Sequence, residues 1–142
     1  MADITPMRVI LDTNVLVAAL ITRRTPPDAL YTAWREGRFT VVTSERQLEE
    51  FREVTRRASL KLRIHPAEAG RMVNDLRALA LLVDGWPILD ISPDPYDNFL
   101  LGMAQASRAE LLVTGDKRDL LALASHSGTR ILTARQALEV IG

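Results

Sequence analysis

Three short runs of consecutive apolar residues, Val9–Leu11, Val41–Val42 and Leu111–Val113, constrain the fold of this chain more than any other feature. They are continuous rather than alternating, as expected of strands buried on both faces of a parallel sheet. Arg130–Leu132 is a fourth candidate. Each run is followed at once by a polar or small residue and then by a helical pattern: Asp12-Thr-Asn, Thr43-Ser, Gly115-Asp and Thr133-Ala. This βα rhythm predicts an α/β fold of three layers, α/β/α, with a central, mainly parallel sheet of four or five strands.

Helices are predicted over 14–22, 27–37, 45–58, 66–79, 95–108, 117–124 and 134–141. Pro27 and Asp28 open the second and Gly37 closes it. Leu30 and Trp34 are four apart on one face of it, which assigns Trp34 to the core. In Pro93-Asp94-Pro95, Asp94 fits a helix N-cap, with Pro95 at the first helical position and Asp97 at the third. No linker, repeat or low-complexity tract divides the 142 residues, so one domain over 1–142 is expected, with 1–6 as an N-terminal extension. The longest clean apolar run, Val15–Ile21, is far short of the ~20 residues that span a bilayer. No signal peptide is evident. The expectation is a cytoplasmic protein without membrane association.

Ligands of open α/β sheets bind outside the carboxyl ends of the strands. Asp12 and Asp116 both fall where a predicted strand ends, so topology directs two acids to one sheet edge. Glu50 is informative in another way. The helix after Ser44 has the apolar stripe Leu48, Phe51, Val54 and Ala58. At about 100° per residue, Glu49 projects nearly opposite Phe51, into solvent, whereas Glu50 lies beside Val54 on the border of the stripe. Asp97 similarly lies near Leu101 and Ala104, at the edge of its own helix's core face. Each acid also has an ordinary explanation: Asp12 and Asp116 as N-caps worth ~1 kcal/mol each, Asp97 as part of a capping pair with Asp94, Glu50 as a solvated helix glutamate.

Gathered together, such carboxylates repel and raise one another's pKa, and a hard divalent cation removes that repulsion. Mg²⁺ or Mn²⁺ takes oxygen ligands, and Asn14, Thr114 and Asn98 could add neutral oxygens or orient water. One or two such ions would activate water for in-line displacement at phosphorus. The chain has no Cys, which excludes thiolate ligands and Cys nucleophiles. Its two histidines, His65 and His126, lack paired ligand spacing and read as surface or helix-end residues. No Ser-His-Asp set or phosphate-binding Gly-rich loop is present.

These residues resemble the PIN-domain nucleases, and among them the VapC-like toxins of toxin–antitoxin pairs. Val9-Ile-Leu-Asp-Thr-Asn-Val-Leu-Val looks like the family's first motif, with Asp12 and Asn14. Ser44-Glu-Arg-Gln-Leu-Glu-Glu-Phe is similar to the second, placing its acid at Glu50. Asp94-Pro-Tyr-Asp-Asn-Phe-Leu-Leu-Gly-Met-Ala resembles the third, with Asp97, and Leu111-Leu-Val-Thr-Gly-Asp-Lys the fourth, with Asp116. Arg130-Ile-Leu-Thr-Ala-Arg-Gln-Ala-Leu resembles the last strand and helix, so the likeness spans about Met7 to Gly142. It implies a PIN-like sheet, an acidic pocket holding Mg²⁺ or Mn²⁺ through Asp12, Glu50, Asp97 and Asp116, and endonuclease action on RNA. It also implies homodimers and a cognate antitoxin. In one departure from the usual pattern, Arg118 precedes Asp119, which leaves Asp119 as an auxiliary acid or a helix-start residue.

An acidic pocket repels phosphate, so flanking cations must hold an RNA. Lys117 and Arg118 adjoin Asp116 and rank first; Arg23, Arg24 and the stretch Arg52, Arg56, Arg57, Lys61 and Arg63 follow. Net charge is zero and aromatics are 5%, so neither a global field nor a base-stacking surface is evident. Three rivals remain: a haloacid-dehalogenase-like phosphatase, which wants Asp where this chain has Asn14; a catalytically weak PIN-fold module that only binds RNA or protein; and DNA cleavage with the same metals. Dimer contacts could use the apolar faces of 27–37 and 66–83, although burial within the subunit explains them as well.

Overall fold

The computed structural model describes residues 6–62, 64–115 and 118–142, with the backbone alone for 58–62. The four predicted runs form β1 (Arg8–Leu11), β2 (Thr40–Thr43), β4 (Leu111–Thr114) and β6 (Thr129–Thr133). Two further strands of two residues each, β3 (Leu81–Leu82) and β5 (Ser125–His126), lie at the sheet edges and bring the sheet to six strands. Two residues are too few for any period to register in the sequence, and both strands exist because a longer neighbour offers its backbone.

The strand order is β3-β2-β1-β4-β6-β5. Every pairing is parallel except β5 with β6. That one antiparallel pair turns through Ser127 and Gly128, both at positive φ (47° and 86°), as a two-residue hairpin turn requires.

Side chains alternate across the sheet as period two demands. Val9, Leu11, Val41, Leu111, Val113 and Leu132 face one way. They pack against α1 (Thr13–Ile21), α2 (Pro26–Arg35), α3 (Glu45–Leu62), α4 (Pro66–Leu79) and α7 (Ala134–Ile141), with Leu16, Trp34, Phe51, Leu76 and Ala137 as examples. Ile10, Val42, Leu112 and Ile131 face the other way, onto Phe99, Leu100 and Met103 of α5 (Pro95–Ser107) and Leu120 of α6 (Arg118–Leu123). The three-layer α/β/α architecture is thus present, and all seven predicted helices form.

The faces considered for a dimer contact are largely used inside the subunit. Leu30, Ala33 and Trp34 of α2 and Met72, Val73 and Leu76 of α4 are buried, whereas Leu79, Leu81 and Leu82 are exposed. On the opposite face, the segment between β3 and α5 lies close against α5. A Cβ on Gly102 would sit 2.6 Å from the Pro87 carbonyl oxygen, so only glycine allows that approach. The chain leaves β1 for β2 on one side, while β4 pairs on the other. The crevice at the carboxyl ends of β1 and β4 is therefore a topological switch point, where open α/β sheets bind ligands.

Candidate active site

Asp12 leaves β1 and occupies the N-cap position of α1. Its backbone does what a cap requires: the carbonyl accepts from Val15 N (2.9 Å) and Leu16 N (3.1 Å), and its amide donates to Val113 O (2.8 Å). Its carboxylate makes no cap hydrogen bond. Instead Oδ2 accepts from Thr114 Oγ1 at 3.0 Å, across the crevice at the end of β4, and Asp12 is 1% exposed. Capping thus explains the backbone here but not the direction of the carboxylate. Thr114, fully buried, orients that carboxylate.

The start of α5 separates two roles that the sequence left combined. Asp94 is the cap, its Oδ1 accepting from Tyr96 N at 2.9 Å. Asp97, one turn in and 1% exposed, instead accepts at Oδ2 from Ser92 Oγ (3.0 Å). Asn98 secures Ser92: its Oδ1 accepts from the amides of Ile91 (3.0 Å) and Ser92 (2.8 Å), and its Nδ2 donates to Ser92 O (2.8 Å). Asn98 is therefore a clamp on this loop, its oxygen already accepting two hydrogen bonds.

Tyr96 ties the two elements together, its phenol lying 2.6 Å from Thr13 Oγ1. Burial pushes the Tyr96 pKa above its ordinary value; the charges of Asp12 and Glu50 push the same way, while the Thr13 bond and Arg46 oppose them. Asp12, Glu50 and Arg46 thus converge electrostatically on one phenol. Glu50 is half-buried and Glu49 exposed, as the stripe of α3 predicts. The start of α3 is anchored by Gln47, which the sequence reading passed over. Gln47 donates through Nε2 to Leu11 O (2.7 Å) and accepts from Thr43 Oγ1 (2.6 Å), and is 1% exposed. A polar residue four positions before Phe51, in line with the apolar stripe, was the available signal.

The other described candidates sit on several elements. Asn14 is exposed and lines a shallow cleft with Thr114, Gly115 and Arg135. Asp119 is exposed in the first turn of α6, the placement of a helix-start acid, and Arg118 beside it is exposed. Asp116, Lys117 and Arg63, and the side chain of Lys61, lie outside the described residues. Arg23 lines a cleft with Asp28, Glu68, Arg71 and Asp75, and the amide of Arg24 donates to the Asp28 carboxylate at 2.9 Å. Arg52 and Arg56 line another cleft, with Ile64 and Gly70. His65 caps α4, accepting from Ala67 N at 3.1 Å, and His126 meets Gln105 at 3.0 Å. Both histidines have the helix-end and surface roles expected of them.

Among the described residues, no three acidic or histidine side chains gather closely enough to hold a metal ion. What is described is a pair of buried carboxylates, Asp12 and Asp97, oriented by the hydroxyls of Thr114 and Ser92. This donor set is all oxygen, which fits a hard cation such as Mg²⁺ or Mn²⁺ and suits no soft metal.

A family model of the PIN domain matches residues 8–118. The match runs from β1 to the start of α6 and takes in every element that carries Asp12, Glu50 or Asp97, and the chain belongs to the PIN-domain family. PIN domains have a nuclease-type fold, bind nucleic acid and generally use divalent metal ions. No curated protein matches the chain. Among the described residues, no helix is long and apolar enough to cross a membrane.

Proposed function

We propose that this protein is a Mg²⁺- or Mn²⁺-dependent endoribonuclease, with Asp12, Glu50, Asp97 and Asp116 as its acids, and that it serves as the toxin of a toxin–antitoxin pair. The observation that carries the enzymatic reading is the burial of Asp12 and Asp97, each 1% exposed, with carboxylates turned toward hydroxyls rather than toward their own helix ends. Burying a carboxylate is costly. A module that only bound RNA or protein would have no use for two of them at the ligand-binding edge of the sheet.

Asp12 and Asp97 would hold the cation, assisted by Glu50 and Asp116. When bound, such an ion supplies Lewis acidity at the scissile phosphate and makes water an effective nucleophile near neutral pH. The chain's own residues supply orientation: Thr114 sets the Asp12 carboxylate, Ser92 and Asn98 set that of Asp97, and the Tyr96–Thr13 bond holds the two helix starts together. The preference for RNA, the toxin role, the homodimer and the antitoxin partner rest on the ordered resemblance of the four motifs to VapC-like toxins.

Purified protein should cut a panel of cellular RNAs in Mg²⁺ or Mn²⁺ and leave DNA of identical sequence intact. Cleavage should disappear in EDTA and in the Asp12→Asn and Asp97→Asn variants. Wild-type cleavage by both variants would overturn the mechanism. For the toxin role, induced expression should arrest growth with the wild-type chain and not with Asp12→Asn; equal growth in the two cultures would remove it.

A further inference from the structure

Sequence reasoning passed over Arg46, whose charge acts on the Tyr96 phenol together with those of Asp12 and Glu50. It lies in the first turn of α3, next to Gln47, whose bond to Leu11 O pins that turn to the end of β1. Its guanidinium carbon sits 4.2 Å from the centroid of the Phe99 ring. Phe99 is 4% exposed and held from two sides, by Trp86 (centroids 5.0 Å apart) and Tyr96 (5.3 Å). The Tyr96 phenol reaches Thr13, the residue after Asp12. A short chain of packed side chains therefore connects Arg46 to the buried carboxylate, and the charge of Arg46 is felt at Tyr96 together with those of Asp12 and Glu50.

What Arg46 lacks is as informative as what it touches. Its neighbour Glu45 is engaged by Arg77 through two hydrogen bonds of 2.9 Å. Among the described residues, no hydrogen bond or ion pair engages the Arg46 guanidinium itself. A cation–π contact restrains a guanidinium without consuming its N–H donors. Arg46 is thus an exposed, restrained fork of donors, the geometry suited to phosphate. It opens on a cleft of about 430 Å³ shared with Trp86, Leu82, Val83, Glu45 and Asp84.

We propose that Arg46 is a substrate-binding residue whose guanidinium takes a phosphate of single-stranded RNA flanking the bond cut at Asp12 and Asp97. This inference rests on the ribonuclease reading. A purely structural Arg46 would only cover Phe99, and the two roles differ in their response to salt.

Arg46→Gln, Arg46→Lys and, as a control, Arg108→Gln are compared. Arg108 is exposed at the end of α5, toward the amino end of β4 and so at the opposite sheet edge. Kd for a single-stranded RNA is measured against salt in the cleavage-deficient Asp12→Asn background, and kcat and KM in the active one. Arg46→Gln should weaken binding about tenfold, mostly in KM, and flatten the slope of log K against log salt by about 0.7, one single-strand phosphate contact. Arg46→Lys should restore the slope, since it retains the charge. An unchanged slope and KM in Arg46→Gln, with wild-type cleavage intact, would overturn this assignment alone. A wild-type chain that neither binds nor cuts RNA would overturn it together with the ribonuclease reading.

Discussion

Asp12 and Asp75 are both aspartates that accept a hydrogen bond from a hydroxyl, and the fold treats them in opposite ways. Asp75, on α4, accepts from the Tyr31 phenol at 3.2 Å and pairs with Arg35 at 3.1 Å. Its side chain is 27% exposed and that of Arg35 is 43% exposed. Asp12 accepts from Thr114 and is 1% exposed. A guanidinium cancels a carboxylate's charge, whereas a hydroxyl orients it. The α2–α4 contact is thus a neutralised, half-solvated brace. The edge at β1 and β4 instead buries a carboxylate and orients it through a hydroxyl. That contrast is the physical difference between an acid that braces two helices at the surface and one buried at the edge of the sheet where open α/β folds bind ligands.

The sharpest way to break the comparison is to remove charge from each side. Asp12→Asn should lower metal-dependent RNA cleavage by well over ~100-fold, more than the ~10–100-fold typical of outer residues around a metal, while circular dichroism stays native. Excess Mn²⁺, at about 100 times its Kd, should stabilise the wild-type fold by about 2.7 kcal/mol in thermal or denaturant unfolding, and Asp12→Asn much less. Equal stabilisation of both proteins would place the cation elsewhere.

Next in size are the orienting groups. Thr114→Val and Asn98→Ala should each cost roughly 10–100-fold in cleavage, with Thr114→Ser close to wild type. Asn98→Ala should also lower stability by about 1–3 kcal/mol, because it leaves backbone amides of the 91–92 segment unpaired. Gly102→Ala would force the Pro87 carbonyl away and should destabilise by about 1–3 kcal/mol, read as a fall in the denaturant midpoint.

The smallest effects belong to the brace. Asp75→Asn should cost only ~0.2–1 kcal/mol and leave cleavage unchanged, as for other partly exposed ion pairs. Burial first, and then Asp75, push the Tyr31 pKa from 10.0 up to about 12. A pKa raised on folding means that the folded state holds the phenol proton more tightly. Its contribution to stability is therefore present below pH 10 and lost as pH rises toward 12. Unfolding curves of wild type and Tyr31→Phe should approach each other over that window. A constant difference between them across it would show that Tyr31 is not linked to folding in this way.

The α/β class, the seven helices and the four longer strands were legible because continuous apolar runs and 3.6-residue stripes are local properties. Glu50 could be distinguished from Glu49 for the same reason: the border of a stripe is a matter of angle along one helix. Asp94 as a cap was legible from Pro95 after it. The separation of Asp97 from that cap was not, because Ser92 and Asn98 act from outside the helix. Gln47 and Arg46 escaped notice because their partners, Leu11 and Phe99, lie 36 and 53 positions away. The edge strands β3 and β5 escaped because two residues carry no period.

By itself, then, the sequence determined which segments alternate between strand and helix, and that acids stand where strands end, since both follow from local periodicity and strand-end position. Only the tertiary structure decided which acids are buried and what holds them. Burial and hydrogen-bond partnership depend on surfaces brought together from distant parts of the chain: Thr114 is 102 positions from Asp12, yet adjacent in the sheet because β4 pairs with β1.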